Sequence, residues 1–223
     1  MDIKLCIRAI ISMALGLVLI CALLFIPAGT TEYWQGWLLI GILFVPMFAA
    51  GLFMMVKRPD LLRKRLNARE EQGEQRIVVA LSGLLFIAAF VTAGLNHRFC
   101  WILLPAWVSY AAAAVFLAGY ALYAEVIREN EWLSRTIEVQ EGQKVVDTGL
   151  YGIVRHPMYM STLLIFLSMP LVLGSPISFL IMLLYIPVIA KRIHNEESVL
   201  EEGLEGYTEY EKRVSYRMIP FIW

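Results

Sequence analysis

Residues 156–190 read HPMYMSTLLIFLSMPLVLGSPISFLIMLLYIPVIA, a run of 35 residues without a lysine, arginine, aspartate or glutamate. As one helix rising 1.5 Å per residue it would extend about 52 Å, far beyond the roughly 30 Å of hydrocarbon in a bilayer. The run must fold back on itself. Pro170 and Pro176 remove backbone donors and Gly174 permits a tight reversal, so the break falls between Pro170 and Pro176. The run therefore predicts a hairpin of two short helices over 157–190. Each arm has about 14 to 16 residues, nearer 22 Å than 30 Å, so both a shallow re-entrant hairpin and two full spans remain open.

Outward from this run, four more uncharged stretches precede it: Ala9–Thr31, Tyr33–Val56, Ile77–His97 and Phe99–Ala124. Each reaches the roughly 20 residues that carry an α-helix across a membrane. Composition agrees. Of the 223 residues 59% are hydrophobic and 17% charged, against about 45–50% and about 25% in a soluble domain, and the mean hydropathy is +0.66. The expectation is an all-α integral membrane protein with about six transmembrane segments, the last two forming the short hairpin. Residues 1–223 make one membrane-embedded domain, with four helices in 1–125 and a ligand-binding part, ending in an amphipathic segment, in 126–223. A cleaved signal peptide over 1–26 is disfavoured, because the first apolar run exceeds the 7 to 15 residues of an ordinary h-region.

The 19 basic and 19 acidic residues cancel, so no global field recruits nucleic acid. Their positions carry the information. With the amino terminus inside, 18 of the 19 lysines and arginines fall in inner segments and only Arg98 lies outside. Both ends are then cytoplasmic and the outer connections are short: Pro27–Glu32, Asn96–Cys100 and Gly174–Pro176. The chain is expected in a cell inner membrane if bacterial and in the endoplasmic reticulum if eukaryotic. Cys6, Cys21 and Cys100 show neither a CxxC pair nor metal-ligand spacing, so no metal is expected.

Polar residues concentrate in two stretches flanking the hairpin, Glu125–His156 and Lys191–Trp223. A hairpin joins its ends, so residues just before Pro157 and just after Ala190 should be neighbours. The first flank runs through Gly142, Gly149 and Gly152, which mark turns, to Arg155-His156-Pro157-Met158-Tyr159. Pro157 suits the first position of a helix, whose free amides and positive dipole end are matched to an anion. Arg155 either adds charge to that edge or simply obeys the positive-inside pattern, and His156 either joins a site or caps the helix. In the second flank Arg192, Asn195, Glu196 and Val199 share one helix face, so Arg192 and Glu196 form either a surface i,i+4 pair or a pair facing a cavity.

Three ordered motifs bring these residues to a known pattern. They are Gly149-x-Tyr-(x)3-Arg-His-Pro-x-Tyr159, Arg192-(x)3-Glu-Glu197, and Gly206-Tyr-(x)2-Tyr210-(x)2-Arg213-Val-(x)2-Arg217-x-x-Pro220. Together they resemble the isoprenylcysteine carboxyl methyltransferase family, part of a wider group of membrane methyltransferases that includes phospholipid N-methyltransferases. The resemblance runs from Asn130 onward. It implies S-adenosyl-L-methionine as cofactor, held by Gln140, by Gln143, Lys144, Val145 and Val146, by Tyr151, by the His156-Pro157-Met158-Tyr159 block, and by Glu196. It implies Arg192 for the substrate, with Arg155 and Glu197 in support.

The residue types suit that cofactor independently. Glu196 could accept from its ammonium, the helix start at His156–Tyr159 could receive its carboxylate, and Val145, Val146 and Tyr151 could enclose its adenine. No Gly-x-Gly-x-x-Gly follows a strand pattern, which excludes a Rossmann-type methyltransferase. A carboxylate acceptor is already ionised at pH 7 and needs alignment and desolvation rather than a base. A lipid amine would need one, with His156, Glu196 or Glu197 as candidates. The partner in either case is an amphipathic lipid-like or prenylated substrate, met among membrane lipids. A sterol-type reductase using NADPH is the second enzymatic reading, since such enzymes carry a similar Arg-His-Pro-x-Tyr block; a scaffold or transporter subunit is the third. Tyr207, Tyr210, Tyr216, Phe221 and Trp223 are expected to dock the last segment at the membrane interface. The basic stretch from Arg58 to Leu66 reads as a plain inner loop, with binding of anionic headgroups as its rival.

Overall fold

The computed structural model describes residues 3–57, 59–66, 73–134, 137 and 139–223. Its α-helices are α1 (Ile3–Ala28), α2 (Trp34–Lys57), α3 (Pro59–Leu66), α4 (Gly73–Phe99), α5 (Ala106–Glu129), α6 (Pro157–Val172), α7 (Pro176–Leu183), α8 (Tyr185–Gly203) and α9 (Tyr207–Arg213), and no strand occurs among the described residues. Arg58 of the expected basic loop lies outside the described residues, as do the side chains of Lys64 and Arg65.

Among the described residues five stretches are long and apolar enough to cross a membrane: Lys4–Ala28, Trp34–Lys57, Arg76–Phe99, Ala106–Glu129 and Pro176–Gly203. The expected sixth, α6, has 16 residues and rises only about 24 Å. The hairpin reverses where the prolines and glycine place it. Gly174 takes φ +70°, Ser175 caps α7 by accepting from the Ser178 amide, and Pro176 fills the first helical position. The hairpin's two arms are unequal, which corrects the expected boundary at Ala190. The second arm bends at Leu184, three residues before Pro187, whose missing N–H cannot bond Leu183, and then continues helical to Gly203. Charge at Lys191 marks where the arm becomes polar, not where the helix stops.

The turns joining α1 to α2, α4 to α5 and α6 to α7 meet at one end of the bundle. The Tyr33 ring stacks on His97 with centroids 4.1 Å apart, and its hydroxyl donates to Leu173 O at 2.5 Å, joining the first turn to the second and third. Trp34, Trp37, Trp101, Trp107 and Tyr110 stand exposed around that end, as aromatic side chains do at a membrane interface. Between the ends, Leu24, Leu39, Phe90, Phe116, Ile165 and Val172 form the main core where α1, α2, α4, α5 and α6 meet. The outward faces of α1 and α2 stay apolar, with Leu15, Val18, Val45 and Phe53 all more than half exposed, a surface matched to lipid.

Close approach of α1 and α4 depends on Gly94. A Cβ there would lie 2.6 Å from Leu24 O and 3.0 Å from the Ala28 amide, both backbone atoms that cannot swing aside. Gly94→Ala is expected to destabilise the fold by about 1–3 kcal/mol. Gly83→Ala, on the same helix with open space around it, should leave it unchanged or slightly firmer. Thermal unfolding of the two variants in detergent micelles checks this contrast.

Candidate functional site

At the opposite end of the bundle, α5 stops at Glu129 and Asn130 directs the chain onward. Asn130 Oδ1 accepts from the Trp132 amide at 2.9 Å, and its Nδ2 donates to the Tyr151 hydroxyl at 2.9 Å. The following loop is closed by its own glutamines: Gln140 Nε2 donates to Trp132 O at 2.6 Å, and the Gln140 amide donates to Gln143 Oε1 at 2.8 Å. A 3-10 turn over Gly149–Gly152 then leads to α6. Gly149 is at φ +54° against the Glu129 carboxylate, where a Cβ would lie 2.8 Å from Cδ, so a side chain would be both strained and crowded.

Arg155 and His156 enter α6 under tight control. Their amides donate to Tyr216 O and Arg217 O at 2.9 and 2.7 Å, laying the last segment alongside them. Their side chains turn to Glu197 of α8, which is 3% exposed. Glu197 Oε1 accepts from Arg155 Nε at 2.8 Å and lies 3.2 Å from His156 Nε2, while Oε2 accepts from Arg217 Nε at 2.7 Å. Arg155 also meets Glu211 Oε1 at 2.9 Å and donates to Val214 O at 3.1 Å. Its guanidinium is thus engaged by protein groups, not held open for an anion at the helix start. His156 occupies the capping position of α6 without a capping bond from its side chain.

One helical step away, the same hairpin makes a second junction. The Tyr159 hydroxyl accepts from Arg192 Nε at 3.0 Å and donates to Glu196 Oε2. The i,i+4 pair foreseen on α8 is therefore joined through a side chain of α6. This junction opens on a cavity enclosing about 850 Å³ of empty space, its open mouth included. Gln143, Lys144, Val145, Val146, Tyr151, Arg155, His156, Met158, Tyr159, Arg192 and Glu196 all line it. Gln140 and Pro157 do not: the first has turned its amide back to the loop, and the second is buried as the opening residue of α6. Glu197 sits behind the wall, in the ion cluster.

The walls also include residues that sequence reasoning missed, among them Asn130, Trp132 and Leu200. Tyr207 and Tyr210 correct an expectation. Both are almost wholly buried on the cavity wall rather than at a membrane interface, because α9 turns them with Leu204 and Val214 against Val139 and Val145. Burial pushes both phenols above their ordinary pKa, so they are neutral hydrogen-bonding groups. Tyr210 donates to Tyr151 O at 2.7 Å, tying α9 to the 3-10 turn. Of the remaining aromatics, Phe221 is exposed and Trp223 lies under the Arg217 guanidinium, 5.7 Å from ring centroid to Cζ.

The two junctions sit on α6, α8 and α9 and the segments that flank them. Residues 111–202 match the isoprenylcysteine carboxyl methyltransferase (ICMT) family. The resemblance carried by the motifs is thereby borne out, although the matched stretch begins inside α5, earlier than Asn130, and ends before the third motif. The overall fold is similar to the structure of a eukaryotic intramembrane Ras methyltransferase, ICMT, with a TM-score of 0.59 at 20% identity over 96% of this chain and 77% of that one. The chain is also 27% identical over 135 residues to a Delta(14)-sterol reductase of Methylotuvimicrobium alcaliphilum, covering 54% of this chain and 32% of that protein. A Delta(14)-sterol reductase of Mus musculus is 31% identical over 91 residues, 40% of this chain and 22% of the relative. The chain thus matches no more than about a third of the length of these curated relatives.

Proposed function

We propose that this chain is a membrane-integral methyltransferase that uses S-adenosyl-L-methionine and acts on the polar head, a carboxylate foremost, of a lipidic or prenylated substrate. The observation that carries this reading is the Tyr159 junction: within the family-matched stretch, an acid and a base from α8 are brought to one tyrosine of α6 on the wall of a mixed polar and apolar cavity. The bound cofactor supplies an electrophilic methyl group. Its parts fit the residues present. Glu196 would accept from its ammonium, Val145, Val146 and Tyr151 would enclose its purine, and the buried Tyr207 hydroxyl, without a partner among the described residues, offers one more hydrogen bond.

Arg192, with its planar fork, holds the acceptor carboxylate and sets its direction. The membrane-edge cavity keeps water away from the ionised acceptor, which needs no base. A lipid-amine acceptor would need Glu196 or His156 as its base, because both Glu197 oxygens are engaged by Arg155, His156 and Arg217. With 18 of 19 basic residues on the side of the loop ends, we place this cavity and both ends of the chain at the cytoplasmic face. The test is saturable binding of S-adenosyl-L-methionine by the purified protein, followed by labelling of membranes with the methyl-labelled cofactor. Label in base-labile ester supports a carboxylate acceptor, and label in lipid amine refutes it.

The sterol reductase relatives favour a second reading, an NADPH-dependent reductase. Lys144 on the cavity wall supplies a cation for a 2′-phosphate. Under the methyltransferase reading, NADPH fails to displace S-adenosyl-L-methionine at equal concentration. Preferential NADPH binding that Lys144→Ala abolishes would establish the reductase instead.

A further inference from the structure

Tyr207 opens α9 and is 4% exposed. Its ring packs with Leu204, Tyr210 and Val214 against Val139, Val145 and Leu200. Its hydroxyl is buried and has no hydrogen-bond partner among the described residues. Tyr210, one turn later and as deeply buried, shows the ordinary solution by donating to Tyr151 O. A buried hydroxyl left unpaired is disfavoured and uncommon in folded proteins, so a partner from outside the chain is expected wherever such a side chain also faces a cavity. Tyr207 does face one.

We propose that the Tyr207 hydroxyl is a ligand-binding group that hydrogen-bonds the adenosine moiety of the bound cofactor. The inference rests on the reading that an adenosine-bearing cofactor occupies this cavity. The apolar packing of its ring assigns the moiety. The Tyr207 ring shares its part of the wall with Val145, Leu200 and Leu204, a surface matched to the face of a purine. Adenosine presents donors at its exocyclic amine and ribose hydroxyls and acceptors at its ring nitrogens, and a phenol satisfies either kind. S-adenosyl-L-methionine and NADPH both carry this group, so the role holds for either cofactor.

The experiment compares the full-length protein and its Tyr207→Phe variant in detergent, reading the ligand-free melting temperature and, by calorimetry, the Kd for S-adenosylhomocysteine, 5′-methylthioadenosine and NADPH. The variant should melt at or above the wild-type temperature, because it loses only an unpaired hydroxyl. Affinity for whichever of these ligands the wild type binds should fall about 5- to 10-fold. If the wild type binds S-adenosylhomocysteine, the loss should be as large for 5′-methylthioadenosine, which lacks the amino-acid end, whereas Glu196→Gln should weaken only S-adenosylhomocysteine. Equal affinity of variant and wild type overturns this role while leaving the proposed function standing. A ligand-free melting temperature lowered by several degrees overturns it too, since the hydroxyl would then have a partner in the protein. If the wild type binds none of the three ligands, the role and the proposed function fall together.

Discussion

Glu197→Gln is expected to remove about 3–5 kcal/mol of folding stability, the usual loss when one member of a buried ion cluster is neutralised. Glu197 and Arg155 have side chains only 3% and 5% exposed. The carboxylate satisfies Arg155 and His156 with one oxygen and Arg217 with the other. A glutamine keeps one acceptor and turns an N–H2 group toward a cation on the other side. Arg155 would retain Glu211 and Val214 O, but with its guanidinium still withdrawn from water at 5% exposure. Against a total stability of about 5–15 kcal/mol for an ordinary domain, the change is large. Arg217→Gln should cost much less, about 1 kcal/mol, since its side chain is 30% exposed and Glu197 keeps Arg155 and His156. Thermal unfolding in micelles, at low and high salt, measures both, and the buried Glu197 effect should persist in salt where the Arg217 effect shrinks. Equal melting temperatures for wild type and Glu197→Gln would show that the cluster does not hold the hairpin to the last segment.

The position of this cluster was partly legible before any coordinates. Pro170, Gly174 and Pro176 foretell a reversal because their backbone constraints are local, and the reversal by itself makes His156 and Glu197 neighbours. What separates Glu196 from Glu197 is less visible. Tyr185, Ile189, Ile193 and Glu197 follow one another at four-residue spacing and are all buried, so Glu197 continues the inward stripe of α8 while Glu196 turns to the cavity. That stripe was a readable signal, obscured by taking the first charge at Lys191 as the end of the hairpin. The Tyr159 bridge was not readable in the same way. Helical periodicity relates Arg192 to Glu196 within α8, but it says nothing about a hydroxyl 33 positions earlier on another helix. Tyr207 and Tyr210 misled for a related reason: an aromatic near a membrane edge suits the interface equally well until α9 and the loop over 139–151 are seen to pack together.

Because Arg192 and Glu196 share Tyr159, their contributions should be coupled, and this yields the largest functional effect expected of the site. Under the proposed function, Arg192→Ala lowers kcat/KM about 10²- to 10³-fold, the scale on which a preorganised charge contact acts in catalysis. Separate roles would place the Arg192 loss in the acceptor substrate and the Glu196→Ala loss in the cofactor, and the double variant would show the product of the two. The geometry predicts otherwise. Removing the guanidinium frees the Tyr159 hydroxyl to turn wholly to Glu196, and removing the carboxylate lets it turn to Arg192, so either change displaces the group that the other side chain relies on. Each single variant should therefore affect both KM values, and the double variant should be little worse than the poorer single one. Tyr159→Phe provides the control. It keeps both charges and the ring while deleting the bridge, and should by itself reproduce part of each loss, about tenfold in kcat/KM, with Arg192 and Glu196 substitutions becoming more nearly additive in its background. Full additivity in the presence of Tyr159, or a Tyr159→Phe variant as active as wild type, would mean that the hydroxyl between α6 and α8 plays no part in organising the site.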